Sequence, residues 1–129
     1  AIDYSAVMQA LKRVEGYKTH FLIPVKGDKL LPVSVDMILF FYIADGNVKA
    51  VVTDGKEYLF TQTLDELADS LDPALFFRIN RQYLISRKAV QDIDLWFNGR
   101  LAVNLIVPTL ERILVSKARV PDFKTWFTS

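Results

Sequence analysis

Short apolar runs separated by turn signals are the feature that most constrains the fold of this 129-residue chain. From residue 20 to residue 115, runs of strand length rich in Val, Ile, Phe and Tyr alternate with Gly, Asp and Asn. Asp54-Gly55 and Asn98-Gly99 are strong hairpin signals and Asp45-Gly46 is a turn signal, because these residue types accept the left-handed backbone of tight turns. Turns about every eight to twelve residues predict a mostly β domain with a few helices, a sandwich or an open barrel.

The apolar runs themselves mark the strands. We predict strands over residues 21–25, 30–35, 38–43, 48–53, 57–60, 83–86, 90–96, 101–107 and 113–115. The run 38–43 is apolar and aromatic throughout, as expected of a central strand. Pro32 confines the second strand to an edge or a bulge, because proline cannot donate a ladder hydrogen bond. Residues 75–77 are interpreted as an apolar anchor.

Helical signals occur at both ends of the chain and once inside it. Residues 5–15 carry one apolar stripe, and Thr63 with Glu66 forms a predicted capping box for a short helix that ends before Pro73. A last helix is predicted over residues 121–127. We therefore expect residues 1–18 to be a linker or an N-terminal helix and residues 19–129 to be one domain.

Composition narrows the class of protein. The chain is 51% hydrophobic, which is ample for a packed core, and its net charge is +1. This neutral total hides two acid-free stretches, residues 73–91 and 112–120, that contain Arg78, Arg81, Arg87, Lys88, Arg112, Lys117 and Arg119. No apolar run reaches the roughly 20 residues of a membrane helix, and no secretory signal is recognisable, so we expect a cytoplasmic protein without a membrane partner.

The residue types give little support for catalysis or for a metal or cofactor site. The chain has no cysteine and one histidine, His20, which we expect on the surface at the start of a strand. Asp92 and Asp94 lie two apart and therefore share one strand face, where a solvated position is favoured over acid–base chemistry. No glycine-rich phosphate loop is present. We therefore expect no catalytic residues, no metal, no cofactor and no enzymatic activity.

One stretch combines aromatic, arginine and amide side chains. It runs Phe76-Phe77-Arg78-Ile79-Asn80-Arg81-Gln82-Tyr83-Leu84-Ile85-Ser86. Arginine can bind guanine or phosphate through two hydrogen bonds, and Asn or Gln can read adenine. The residues alone leave open a second interpretation, a polar loop between two buried strands.

This stretch resembles the LytTR family of DNA-binding domains, whose motif reads F-x-R-[IVC]-H-R-S-[YF]-[IL]-V-N. Further similarity lies upstream in Tyr42-Ile43-Ala44, Asn47, Gly55 and Thr63-Leu64, and downstream in Val90 to Ile93 and Val115-Ser116-Lys117. The similarity runs from about residue 20 to about residue 120 in the same order and spacing. It implies an elongated fold of small packed β-sheets that presents loops along one edge to successive grooves of DNA.

The resemblance also implies which residues touch DNA. Asn47, Arg81 and Lys117 match the positions whose side chains reach the bases. The remaining candidates are Arg78, Arg87, Lys88 and Arg119 for phosphates, and Asn80 and Gln82 within the motif loop. Asn80, Gln82 and Ser86 replace the family's His, Ser and Asn, and Lys117 replaces a more common Arg. Asn47 is also well suited to a turn, so a purely structural role remains open for it.

Family membership would make the chain the output domain of a two-component response regulator that controls transcription. Its expected partners are double-stranded promoter DNA with repeated short sites, an upstream receiver domain and a second copy of itself. The alternative is a β-rich protein- or ligand-binding module that shares the fold and does not bind DNA. Residues 96–112, which contain Pro108, are longer than the family's usual hairpin.

Overall fold

The computed structural model of the chain describes residues 16–129, so the helix predicted over residues 5–15 lies outside the described residues. The elements are β1 (His20–Val25), β2 (Lys29–Ser34), β3 (Ile38–Ala44), β4 (Asn47–Val52), β5 (Glu57–Phe60), α1 (Leu64–Ser70), β6 (Phe76–Arg78), β7 (Tyr83–Ser86), β8 (Val90–Leu95), β9 (Leu101–Leu105), β10 (Ile113–Leu114) and α2 (Val120–Thr128). Short 3-10 turns occur at Val35–Met37, Arg87–Ala89, Phe97–Gly99 and Lys117–Arg119. The predicted mostly β fold with a few short helices is confirmed.

The strands form three small antiparallel sheets. The largest has the order β5-β4-β3-β7-β6, and the others are the β1-β2 hairpin and a three-stranded sheet of order β10-β9-β8. The central position predicted for residues 38–43 is confirmed, since β3 is the middle strand of the five. Strand β6 was predicted only as an apolar anchor, because its three residues are too short for a periodic signal and depend on pairing with β7.

The five-stranded sheet is buried on both faces, which explains why β3 is apolar at nearly every position. Phe41 points to one face, where the β1-β2 hairpin and α1 cover it and its ring lies 5.2 Å from that of Phe60. Phe40 and Tyr42 point to the opposite face, which packs against the three-stranded sheet and α2. The five-stranded sheet therefore lies between two hydrophobic cores.

Turns form at both predicted positions that flank β4, and one of them has a longer loop than predicted. Asp45 and Gly46 have φ angles of 53° and 76°, which is the pattern of a two-residue type I′ hairpin between β3 and β4. In the β4–β5 hairpin the backbone N–H of Val52 donates to the Lys56 carbonyl at 3.0 Å. That hairpin therefore has a three-residue loop, in which Gly55 adopts a φ of 86°. The position of this turn was predicted correctly, but its loop has three residues where the sequence predicted two.

Local hydrogen bonds start helix α1 as predicted. The backbone N–H of Glu66 donates to the Thr63 hydroxyl oxygen at 3.1 Å, and the Thr63 N–H donates to the Glu66 carboxylate at 3.4 Å. This reciprocal pair is a capping box, and it satisfies backbone donors that the first helical turn leaves without partners. Helix α2 begins with a proline in its first turn and buries Phe123 and Trp126.

Candidate nucleic-acid interface

Two polar segments meet at one end of the five-stranded sheet. Tyr42 pairs with Tyr83 across β3 and β7, and the backbone N–H of Ile43 donates to the Gln82 carbonyl at 3.0 Å. Because β3 also runs into the Asp45-Gly46 turn at this end, that turn and loop 79–82 are neighbours. The register of three strands therefore brings together parts of the chain that are far apart in sequence.

A third segment lies against the same loop. The backbone N–H of Ser116 donates to the Ile79 carbonyl at 2.9 Å, and Nη1 of Arg119 donates to the Arg78 carbonyl at 3.1 Å. The 3-10 turn Lys117–Arg119 is thereby held beside loop 79–82. We call the three segments together the rim: residues 45–47, 79–82 and 117–119.

Asn47, Arg81 and Lys117 lie on these three segments, one on each, and all three are exposed. The left-handed positions of the β3–β4 turn belong to Asp45 and Gly46, and Asn47 is the first residue of β4. The turn therefore does not require an asparagine at position 47. The side chain of Asn47 makes a long hydrogen bond of 3.3 Å from Nδ2 to the Asp45 carbonyl. Its capacity to bind an external group is largely unused.

Arg78 is bound within the protein. Its Nε donates to the Asn80 carbonyl at 2.9 Å, its Nη2 to the Arg81 carbonyl at 2.7 Å, and its Nη1 to the Asp65 carboxylate at 2.5 Å. The side chain is 18% exposed, whereas that of Asp65 is 93% exposed. Sequence reasoning missed Asp65, because nothing local connects an acid in the first turn of α1 with an arginine thirteen positions later.

Asn80 is also bound within the protein. Its Oδ1 accepts the backbone N–H groups of Gln82 and Tyr83 at 2.8 and 2.9 Å, and its Nδ2 donates to the Leu114 carbonyl at 2.8 Å. By contrast, the neighbouring Gln82 is exposed. Within residues 16–129 its side chain makes no hydrogen bond to the protein. Of the two amides in loop 79–82, Asn80 and Gln82, only Gln82 is exposed and free of hydrogen bonds within the described residues.

Arg87 and Lys88 do not join the rim. They follow β7, whereas Arg81 precedes it, so they lie at the other end of the five-stranded sheet. Nη2 of Arg87 donates to the carbonyl oxygens of Trp126 and Phe127 at 2.9 and 2.7 Å. Lys88 is exposed. A phosphate contact from either residue stays a prediction, and it would require DNA to reach a second part of the surface.

The charges at the rim are mainly positive. Within residues 16–129, Arg81, Lys117 and Arg119 have no ion-pair partner, whereas Arg78 is paired with Asp65. All three unpaired cations are exposed, and Asp45 is the acidic residue of the rim. Closely spaced cations on exposed loops suit a polyanion, because each can replace a counterion on a phosphate.

A cleft of about 480 Å³ opens on the face of the sheet that Tyr42 and Tyr83 share. One wall is the loop 107–110, which belongs to the segment that is longer than expected. The Tyr42 hydroxyl donates to the Glu57 carboxylate at 2.5 Å, and the Tyr83 hydroxyl to the Glu111 carboxylate at 3.4 Å. Burial, followed by the bond to Glu57, raises the pKa of Tyr42 to about 12, and burial with the Glu111 charge raises the pKa of Tyr83 to about 12.

Other candidates lie away from the rim. His20 is exposed at the start of β1, as predicted, and its Nδ1 lies 3.1 Å from the Thr19 hydroxyl. Asp92 and Asp94 share a face as predicted, and Nδ2 of Asn104 donates to both carboxylates at 2.6 and 2.9 Å. In residues 16–129 no group of three or more metal-binding side chains comes together. None of the helices there has the length and hydropathy needed to cross a membrane.

Comparison with known proteins gives one consistent family. The family model described as the LytTr DNA-binding domain matches residues 28–128. A solved structure, the LytTr DNA-binding domain of a methyl-accepting/DNA response regulator from Bacillus cereus, superposes with a TM-score of 0.73. The similarity covers 87% of this chain and 99% of that one at 15% sequence identity, so it supports the fold alone.

Curated relatives are longer than this chain. The sensory transduction protein LytT of Enterococcus faecalis is 26% identical over 102 residues, which are 79% of this chain and 41% of that protein. The transcriptional regulatory protein LytR of Staphylococcus aureus is 30% identical over 77 residues, which are 60% of this chain and 30% of that protein. The chain thus spans less than half of the length of either relative.

Proposed function

Because this chain belongs to the LytTr DNA-binding domain family, we propose that it is the output domain of a two-component response regulator and binds promoter DNA in a sequence-dependent way. The observation that carries the proposal is the rim, where three segments distant in sequence present Asn47, Arg81 and Lys117 together. In this proposal Arg81 and Lys117 combine phosphate attraction with groove contacts, and Asn47 bonds a base edge. Gln82 and Arg119 supply flanking contacts.

The relatives' names and their greater length support two proposed partners, a receiver domain and a second copy of this chain. Proteins named for sensory transduction and transcriptional regulation extend well beyond the matched region. We propose that a receiver domain precedes this chain in the full protein and that two copies bind repeated short sites in the cytoplasm. The boundary near residue 18 is part of this proposal. Lys18 already contacts the domain, since its backbone N–H donates to the Ser70 carbonyl at 3.1 Å.

Salt dependence tests DNA binding by the rim. A duplex is first selected from a random pool by the 129-residue chain, and its affinity is then compared with that of a scrambled duplex by fluorescence anisotropy. If Arg81, Lys117 and Arg119 each neutralise one phosphate, log K should fall with log[salt] with a slope of about −2.7. Affinity should then drop roughly 40-fold from 50 to 200 mM salt. Equal affinity for both duplexes would contradict sequence-dependent binding.

A second candidate function, ligand binding without DNA binding, draws support from the cleft beside Tyr42 and Tyr83. Its mostly apolar lining with a few polar groups is the usual composition of a small-molecule site. The same titration separates the two functions. If the chain is folded, as shown by a cooperative melting transition, and binds no duplex at 50 mM salt, the result would favour the function of a ligand-binding module.

A further inference from the structure

Resting on the proposed function, we propose that Arg78 and Asn80 are positioning residues. They fasten loop 79–82 to itself and to the segment that carries Lys117, and they make no contact with DNA. Both were predicted from the sequence to touch DNA. Their hydrogen bonds within the protein instead assign them the role of positioning loop 79–82.

The carboxamide of Asn80 is already occupied. An amide oxygen has two lone pairs, and both are used by the backbone N–H groups of Gln82 and Tyr83. Recognition of adenine by asparagine needs that same oxygen together with the amide nitrogen. The nitrogen is bonded to the Leu114 carbonyl, 34 positions along the chain. Asn80 therefore links the loop to β10 and has no oxygen left to accept from a base.

The guanidinium of Arg78 closes the same loop from the other side. It holds two successive carbonyls, those of Asn80 and Arg81, and a third bond to Asp65 neutralises its charge. A phosphate would have to displace a carboxylate at 2.5 Å from a side chain that is 18% exposed. A phosphate here would replace the Asp65 carboxylate, so it would add no charge pairing that Arg78 lacks in the free protein.

The same network joins the two cationic parts of the rim. The carbonyl of Arg78 accepts from Arg119, and that of Ile79 accepts from the backbone of Ser116. The exposed side chains of Arg81 and Lys117 therefore project from backbone that is bonded on both sides. A recognition surface fixed in this way loses less conformational entropy on binding than two independent loops would.

Charge-conserving variants separate positioning from phosphate contact. Lysine keeps the charge of Arg78 but lacks the planar fork that reaches two carbonyls. We expect Arg78→Lys to weaken binding to the selected duplex at least tenfold while the salt slope stays unchanged. Because lysine can still pair with a phosphate, a loss smaller than tenfold would instead mark Arg78 as a phosphate contact and overturn the proposal. The matched control is Lys56→Arg, a charge-conserving exchange at an exposed cation in the β4–β5 turn, which should leave affinity unchanged.

A double-mutant cycle tests whether Asn80 acts through Arg81. If Asn80 only positions Arg81 and its neighbours, Asn80→Ala should cost at least tenfold in the unmodified chain and less than threefold in the Arg81→Ala background. Additive losses would mean that Asn80 contacts DNA on its own, and would overturn the proposal. A melting temperature measured for every variant distinguishes a change confined to the conformation of loop 79–82 from unfolding of the whole domain.

Hydrogen exchange in the free chain makes the test independent of DNA. The amides of Gln82 and Tyr83 should exchange slowly, and Asn80→Ala should accelerate both at least tenfold while the amide of Leu67 in α1 is unchanged. Fast exchange in the unmodified chain would refute the network even if DNA binds. Slow exchange in a chain that binds no duplex would refute the proposed function alone.

Discussion

Nη2 of Arg87 donates a 2.9 Å hydrogen bond to the main-chain carbonyl of Trp126, and its guanidinium lies 5.9 Å from the ring of the same residue. The same nitrogen also reaches the carbonyl oxygens of Phe127 and Ser129. The last carbonyls of a helix have no partner inside it and carry partial negative charge, so a cation placed there stabilises the end of α2. Arg87 thus joins the start of the Arg87–Ala89 turn to the C-terminus of the chain.

We expect Arg87→Ala to destabilise the fold by about 1–3 kcal/mol, because bonds to a charged donor and a favourable helix-end charge are lost together. Urea unfolding followed by circular dichroism measures this change. The adjacent exposed Lys88 is the control, and Lys88→Ala should stay within about 0.5 kcal/mol of the unmodified chain. Unchanged stability combined with weaker DNA binding would restore the phosphate role that the sequence predicted for Arg87.

Arg81→Ala should lower affinity for the selected duplex by about 10- to 100-fold, the loss of one good base contact. Its melting temperature should stay nearly unchanged, because the side chain is exposed and the carbonyl that Arg78 holds is retained. Lys56→Ala is a matched control, since Lys56 is an exposed cation in the β4–β5 turn. Equal losses in the two variants would show that only net charge matters.

Lys117→Ala should weaken binding to the selected and to the scrambled duplex to a similar degree. A lysine is a point charge without a planar fork, so its main contribution is attraction to phosphate. The slope of log K against log[salt] should become shallower by about 0.9. Lys117→Arg should restore the slope. A loss confined to the selected duplex would instead identify Lys117 as a base-reading residue.

Alkaline pH should destabilise the domain through Tyr42 and Tyr83. Both phenols have a pKa of about 10 when unfolded and about 12 when folded, so the folded state favours their neutral form. The stability that they contribute is complete below pH 10 and is lost as the pH rises through about 12. Urea midpoints at pH 9 and 11.5 measure the loss. Tyr42→Phe with Tyr83→Phe should reduce it.

Phenol absorbance at 295 nm gives an independent check. In the folded chain two phenols should ionise late, near pH 12, and the double phenylalanine variant should lack that late step. If every phenol of the unmodified chain ionised together near pH 10, the part-buried hydrogen bonds of Tyr42 and Tyr83 would be contradicted.

The fold could be predicted from sequence wherever the deciding contacts are local. The capping box joins Thr63 to a residue three positions away, and the β3–β4 turn is specified by Asp45 and Gly46 themselves. Strand β6 was missed because a three-residue strand has no periodicity and forms only against β7. Local chemistry therefore specified most element positions. An element as short as β6 could not be predicted, because it has too few residues to show a pattern.

The candidate site was predicted less completely. The resemblance picked out Asn47, Arg81 and Lys117, and all three are exposed on segments that meet. It also placed Arg78 and Asn80 among the DNA contacts, whereas their polar atoms are bonded within the protein. Residue type and motif position cannot separate these two groups, because both contain arginine and amide side chains.

The sequence by itself determined the element order, the turns and the set of polar side chains near Arg81. Tertiary structure alone decided which of those side chains face solvent. The bonds that hold Asn80 to Leu114 and Arg119 to Arg78 join residues 34 and 41 positions apart. Such contacts exist only where the five-stranded and the three-stranded sheets pack together. The free energy that selects an inward or an outward side chain therefore depends on neighbours that no local pattern specifies.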